Sequence, residues 1–329
     1  MWLENFWIVV HLLIAGFGIL ALNYFENQIT QKKRPEEDRL KFHFYLTLVI
    51  QFAFGGLFST FFVFYMRSSS LATSWFFLLI LLVLLVGNEL WKKHYARLVF
   101  QTIIFFISVY LFLIFLLPVL FHRLGSDLFI ASGIISLVTV VLFLLILKKF
   151  SKEKFKAEHS ILSLSIIGLF ILMNTLYFTN IIPPIPLSLK MAGVYHNIVK
   201  TSGGNYEVKG EPVIWQDRFF NNYPVFHKIA GEAVYVYSAV FSPIAFDSQI
   251  IHQWQYYDEV KKEWVDSSRI VLSISGGRED GFRTYSVKGA VTPGLWRVRV
   301  LTVRGQTLGA IKFKVENVSV LPSLLTNTL

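Results

Sequence analysis

Thr179-Asn180-Ile181-Ile182-Pro183-Pro184-Ile185-Pro186-Leu187 divides this sequence in two. Three prolines within four residues stop a helix and impose extended backbone, so the stretch is a stiff exit rather than a loose linker. Before it lie long apolar blocks, and after it short runs of β-branched and aromatic residues. The 329 residues are 54% hydrophobic and only 16% charged, against about 25% charged in an ordinary globular chain. The apolar excess sits ahead of residue 180.

A helix needs about 20 apolar residues to cross the hydrocarbon core of a bilayer. Six stretches qualify: Phe6 to Tyr24, Phe42 to Met66, Leu71 to Leu90, Leu98 to Phe121, Leu128 to Leu147 and Ile161 to Phe178. The first lacks a basic leader and a small-residue cleavage site, and reads as a retained span rather than a signal peptide. Basic residues crowd the first, third and fifth connections, which hold 13 of them; the second and fourth hold 2, Arg67 and Arg123. The positive-inside rule puts the crowded connections in the cytoplasm and both termini outside it. Trp7, Trp75, Trp91 and Tyr177 fall near span ends, where amphipathic rings favour the headgroup layer.

A transport path needs ionisable or polar groups at depth, where they are costly. The spans offer His11, Gln51, Ser108 and Asn174 and no deep acid, so a proton or cation relay has little to work with. His11 and Asn174 are the membrane candidates. The lysine run from Lys148 to Lys156 could meet anionic lipid headgroups, although a topogenic cytoplasmic loop accounts for it as well.

Beyond the prolines, strands are expected at Ala233 to Phe241, Ile250 to Asp258, Arg269 to Ser275, Phe282 to Val287, Leu295 to Val303 and Thr307 to Val315. Turn signals such as Thr292-Pro293-Gly294 separate them. Trp296, Val298 and Val300 fall on one face of their strand and Arg297 and Arg299 on the other. The expected architecture is an all-α membrane bundle over residues 1–179, a proline-rich exit over 180–192, and an all-β, immunoglobulin-like antiparallel sandwich over 193–329.

The chain has no cysteine, which excludes disulfides, thiolate metal sites and cysteine nucleophiles. It has no Gly-x-Ser-x-Gly elbow, Walker loop or His-Glu-x-x-His motif. Ser275-Gly276-Gly277-Arg278-Glu279-Asp280-Gly281 joins two strands, whereas a phosphate cradle needs a following helix. His196, His227 and His252 lack ligand spacing, and only the fold could gather them with Glu232 or Asp247 around a metal. No metal or other cofactor is expected. After residue 180, 16 basic residues face 12 acidic ones. So mild a charge argues against nucleic acid and leaves an anionic envelope polymer or lipid headgroup as a partner. His252 and Trp254 share a strand face, which is either sandwich core or an exposed strip that grips a partner or sugar ring.

The exit Ile182-Pro183-Pro184-Ile185-Pro186-Leu187-Ser188-Leu189-Lys190 and Gly193-Val194-Tyr195-His196 open a pattern. It continues through Tyr237 to Pro243, Ile251 to Tyr256, Ser275 to Arg278, Gly281 to Ser286 and Gly294 to Val298. It resembles multi-span bacterial proteins that end in the domain of unknown function numbered 2914, over about residues 180 to 316; the spans upstream are similar only in kind. The resemblance implies a bacterial inner-membrane protein and supplies no activity. It marks His252, Trp254, Arg283, Ser286 and Trp296 as motif positions, and with Arg278 these are the binding candidates. The expected function is non-enzymatic: a membrane-anchored periplasmic sandwich that binds an envelope protein or glycan. The rival is a bundle that acts as a transporter, channel or lipid-handling component with the sandwich as its gate or adaptor. A polar midplane cavity would favour the rival, and a dry leucine- and phenylalanine-packed interior the first reading.

Overall fold

The computed structural model describes residues 2–31, 35, 37–68, 71–183, 187–212, 223–241, 248–274 and 281–329. The chain forms a helical unit within residues 1–185 and a strand unit over 186–329. The helices are α1 (Trp2–Thr30), α2 (Glu37–Ser68), α3 (Leu71–Leu90), α4 (Leu98–Phe121), α5 (Ser126–Phe150) and α6 (Lys152–Phe178), with a short 3-10 turn at Lys92–Ala96. Five are long and apolar enough to cross a membrane; α3 counts only Ser74–Leu90 over its described side chains and falls short.

α4 is apolar around its whole circumference and is buried from Leu98 to Pro118 on most sides, as expected of a central helix. Phe54, Phe58, Phe61 and Tyr65 recur at helical spacing on α2 and are fully buried, as are Phe77, Phe106 and Tyr110. These rings fill the interior. A Cβ at Gly133 of α5 would lie 2.6 Å from the Tyr110 hydroxyl and 2.7 Å from the Phe170 ring. Glycine there lets α4, α5 and α6 meet.

The basic run Lys148 to Lys156 is not a loop. α5 runs through Phe150 and α6 starts at Lys152, so Ser151 alone breaks the helix. Lys154 pairs with Glu26 of α1. The Ser151 hydroxyl donates to Asn23 Oδ1 at 3.3 Å and opens a buried polar chain. Asn23 Nδ2 donates to Gln101 Oε1 at 2.8 Å, and Gln101 Nε2 to the Tyr95 carbonyl at 2.5 Å. The Tyr95 hydroxyl reaches Asn88 Oδ1. Asn88 and Gln51 exchange side-chain amide bonds to each other's backbone carbonyls at 2.9 and 3.0 Å. The chain ties α1, α2, α3, α4 and the α5–α6 corner with each amide satisfied, which apolar surroundings demand.

α6 ends before the prolines act. Asn180 takes a left-handed φ of 60°. Ile181 N–H bonds the Leu176 carbonyl at 2.9 Å and Asn180 N–H the Tyr177 carbonyl at 3.1 Å. This is a Schellman close.

The strands are β1 (Ser188–Tyr195), β2 (Asn197–Lys200), β3 (Tyr206–Gly210), β4 (Val225–Lys228), β5 (Val234–Phe241), β6 (Ser248–Asp258), β7 (Glu263–Ile274), β8 (Phe282–Lys288), β9 (Gly294–Thr302), β10 (Thr307–Asn317) and β11 (Leu325–Thr328). β1 starts inside the stretch expected as an exit, so the strand unit begins before residue 193. The strands form three sheets ordered β1-β5-β8, β4-β10-β9-β6-β7 and β11-β3-β2. Pairing is antiparallel except between β4 and β10. Val234 and Val236 of β5 share a core with Trp254, Trp296, Val298 and Phe313 of the five-stranded sheet. Tyr237 and Ala239, on the other face of β5, pack with Ile198, Tyr206 and Val208 of the third. β5 is therefore the middle of three layers, where a plain two-sheet sandwich was expected, and it is buried on both faces accordingly.

Asn88→Leu removes the acceptor of the Tyr95 hydroxyl and the donor to the Gln51 backbone carbonyl. It is expected to cost about 1–2 kcal/mol, read as a lower thermal midpoint of the detergent-solubilised chain. Thr139→Val, which removes a bond within one helix, is expected to leave that midpoint in place.

Candidate functional site

The motif residues of β6 and β8 meet inside the strand unit. His252 Nε2 lies 2.8 Å from Ser238 Oγ of β5 and Nδ1 lies 2.8 Å from Ser286 Oγ of β8. Trp254 Nε1–H donates to Ser286 Oγ at 3.1 Å. The set closes when Ser286 donates to Nδ1 and Nε2–H donates to Ser238. It pins the five-stranded sheet to the β1-β5-β8 sheet. A serine against an imidazole is the contact a nucleophile and its base would make. Here His252 and Trp254 are both 0% exposed and Ser286 2%, so no substrate reaches the pair. The exposed strip weighed for His252 and Trp254 is corrected: even-numbered residues of β6 face inward. Trp296 is buried beside them, with Nε1–H on the Thr292 carbonyl at 2.8 Å. Burial lowers His252 from its ordinary 6.5 to about 4, because a charged ring would lose its hydration.

Arg283 also has local work. Its Nη1 donates to Asn205 Oδ1 at 3.1 Å and to the Leu329 carbonyl at 3.0 Å, joining β8 to the third sheet. Arg278 and Asp247 lie outside the described residues. In the helical unit, Asn174 Nδ2 donates to the Phe170 carbonyl at 2.8 Å and the Tyr110 hydroxyl at 3.3 Å. His11 Nδ1 donates to the Trp7 carbonyl at 2.8 Å.

Two groupings come together that no sequence spacing announces. The first is a line of acids and histidines. His196 Nδ1 lies 2.8 Å from Glu232 Oε1, and Nε2 3.3 Å from Glu211 Oε1. Glu211 Oε2 lies 2.7 Å from His227 Nδ1. The His196 ring stacks on Phe226 at 4.3 Å. The fold thus gathers His196, His227 and Glu232 and adds Glu211. Each ring faces carboxylate oxygens rather than a shared centre, and among the described residues no group could hold a metal.

The second is the outer face of the five-stranded sheet. The Arg297 guanidinium lies 4.4 Å over the Trp264 ring, and its Nε donates to Gln255 Oε1 at 2.6 Å. Gln255 Nε2 donates to Asp266 Oδ1 at 2.5 Å, and Gln253 Nε2 to both Asp266 oxygens at 2.8 Å. Arg299 reaches Thr307 Oγ1 at 2.6 Å, Arg269 reaches Asp266 at 3.2 Å, and Lys312 lies over Tyr223 at 5.5 Å. Partial burial pushes the Asp266 carboxyl up, but the bonds from Gln255, Gln253 and Arg269 outweigh it and hold the group below its usual value. Gln253 and Gln255 are themselves covered, at 4% and 6% exposed, and hold in order the guanidinium, carboxylate and aromatic groups above them. The alternation of Arg297 and Arg299 announced the cations, whereas Trp264 and Asp266 lie on residues 263–268, which the strand pattern missed.

A family model described as a protein of unknown function (DUF2914) matches residues 247–315. The match includes His252, Trp254, Ser286 and Trp296 and most of the outer face. No curated protein matches the chain. Among solved structures, a β-glucosidase from Listeria innocua is 17% identical over 30% of this chain, at a TM-score of 0.22. The chain spans about 15% of that enzyme's length. An immunoglobulin-like protein from Pseudomonas aeruginosa is 10% identical over 40% of this chain and 96% of its own, at 0.23. A Pseudomonas fluorescens alkylpurine DNA glycosylase bound to DNA is 12% identical over 95% and 99%, at 0.24. Scores this low carry no argument about fold or activity.

The buried His252 makes stability depend on pH. Between pH 6.5 and about 4 the unfolded histidine binds a proton that the folded one refuses, so stability falls as pH falls through that window. The loss from this group is about 3 kcal/mol and levels off below it. His252→Gln is expected to flatten that part of the profile, followed by denaturant titrations from pH 7 to pH 4.

Proposed function

We propose that this chain is a non-enzymatic integral protein of a bacterial inner membrane. Its helices anchor a periplasmic, three-layered β domain that binds an envelope protein or glycan through the outer face of the five-stranded sheet. The observation that carries the reading is Arg297 stacked on Trp264 within the Gln253–Gln255–Asp266 lattice. Stacked arginine and aromatic groups are favoured where surfaces bind, because they give large contact with little ordering cost. Five apolar helices support the membrane anchor. The 13-to-2 split of basic residues between connections supports six spans with both termini periplasmic. The buried aromatic rings of the bundle weigh against the transporter or channel reading. The seclusion of His252 and Ser286 weighs against hydrolysis.

The full-length protein, immobilised in detergent, is expected to retain either soluble glycan fragments of the cell wall or a defined envelope protein. Trp264→Ala and Arg297→Ala should each weaken retention about tenfold or more, as truncated hot-spot residues do. Retention that both variants leave intact would remove the outer face from the proposal.

The absence of cysteine makes topology directly testable. Arg123→Cys and Val260→Cys are expected to react with a membrane-impermeant maleimide in spheroplasts. Gln31→Cys and Lys93→Cys are expected to react only after lysis.

A further inference from the structure

α1 and α2 leave a groove of about 350 Å³ on the side of the helical unit, within the size range of ligand sites. Its floor is the His11 ring set against Gly56: a Cβ at Gly56 would lie 2.6 Å from His11 Nε2. Glycine at 56 makes room for the His11 ring, which closes the floor of the groove. Trp7, Ser59 and Thr60 line its middle and Arg67 its far end. Arg67 stands in the last turn of α2, 11 residues beyond Gly56, or about 16 Å along the axis. The wall between is apolar, with Ile8, Leu57 and Val63, and Trp7 is 57% exposed at the rim.

We propose that this groove binds one anionic phospholipid, with the phosphate on Arg67 and the glycerol and first acyl carbons running toward His11. The inference rests on α1 and α2 crossing the membrane, which the cysteine labelling tests separately. The interfacial layer of each leaflet is about 5–8 Å thick, outside a hydrocarbon core of about 30 Å. A groove about 16 Å long from an arginine at the membrane surface therefore crosses that layer and enters the hydrocarbon. Whatever fills it must be anionic at one end, carry an acceptor beside the Ser59 hydroxyl (Thr60 Oγ1 already donates to the Gly56 carbonyl at 2.8 Å), and be apolar beyond. A phospholipid has that order of groups, and a guanidinium pairs with its phosphate through two parallel bonds.

Native mass spectrometry of the full chain, exposed to equimolar phosphatidylglycerol and phosphatidylcholine, tests this. The wild type should keep one phosphatidylglycerol, with about a fivefold preference from the arginine. Arg67→Gln should keep lipid and lose the preference. Gly56→Leu should lose the lipid. Ser59→Leu fills the same space from the rim and serves if Gly56→Leu does not fold. Millimolar inorganic phosphate should not displace the lipid. Equal retention of both lipids by the wild type, full retention by a folded groove-filling variant, or displacement by free phosphate would each overturn the assignment.

Discussion

A polar group removed from water must find a partner inside the protein, and both halves of this chain are organised by that constraint. In the helical unit the amides of Asn23, Gln51, Asn88 and Gln101 have no water to fall back on. They bond one another, Tyr95 and Ser151 instead, and so hold the helices in one arrangement. In the strand unit His252 plays the same part with Ser238, Ser286 and Trp254. Leucine and phenylalanine could fill either interior in many ways. A polar chain with each bond specified admits few, and removing one member leaves the rest unpaid.

The core and the outer face are two sides of the same strands. Trp254 and Trp296 are held inward on β6 and β9, so Gln253, Gln255 and Arg297 must point outward at fixed spacing. The stacking of Arg297 on Trp264 depends on that register, and β7 brings Asp266 opposite Gln255. A surface of long polar side chains, ordinarily mobile, is thereby ordered before anything binds it. This lowers the entropy lost on association.

The two-part division and the apolar helices were legible because each depends on runs of one residue class. The strand pattern of residues 233–315 was legible for the same reason, down to the inward Trp296 and outward Arg297. The six residues 263–268 were not, since Glu263, Asp266 and Ser267 are exposed on an edge strand and a register shift that leaves Ser267 without a partner on β6 breaks the alternation. Lys148 to Lys156 resembled a loop by charge, yet its lysines sit on the ends of two helices that break only at Ser151. The stop of α6 was ascribed to proline, while Asn180 in a left-handed turn closes the helix first.

The site is where sequence and structure part most. His252, Trp254, Ser286 and Trp296 stand out as a motif, and motif residues are as readily core as surface; only the third dimension turned them inward. Glu211 joined His196 and His227, and Asp266 joined Gln253 and Gln255, through a strand register that no spacing in the sequence fixes. Sequence alone determined what each segment can be, helix in an apolar medium or half-buried strand, because that follows from local composition and period. Tertiary structure decided which side chains meet and which face water, because strand register and helix packing are set by contacts between segments that no local pattern contains.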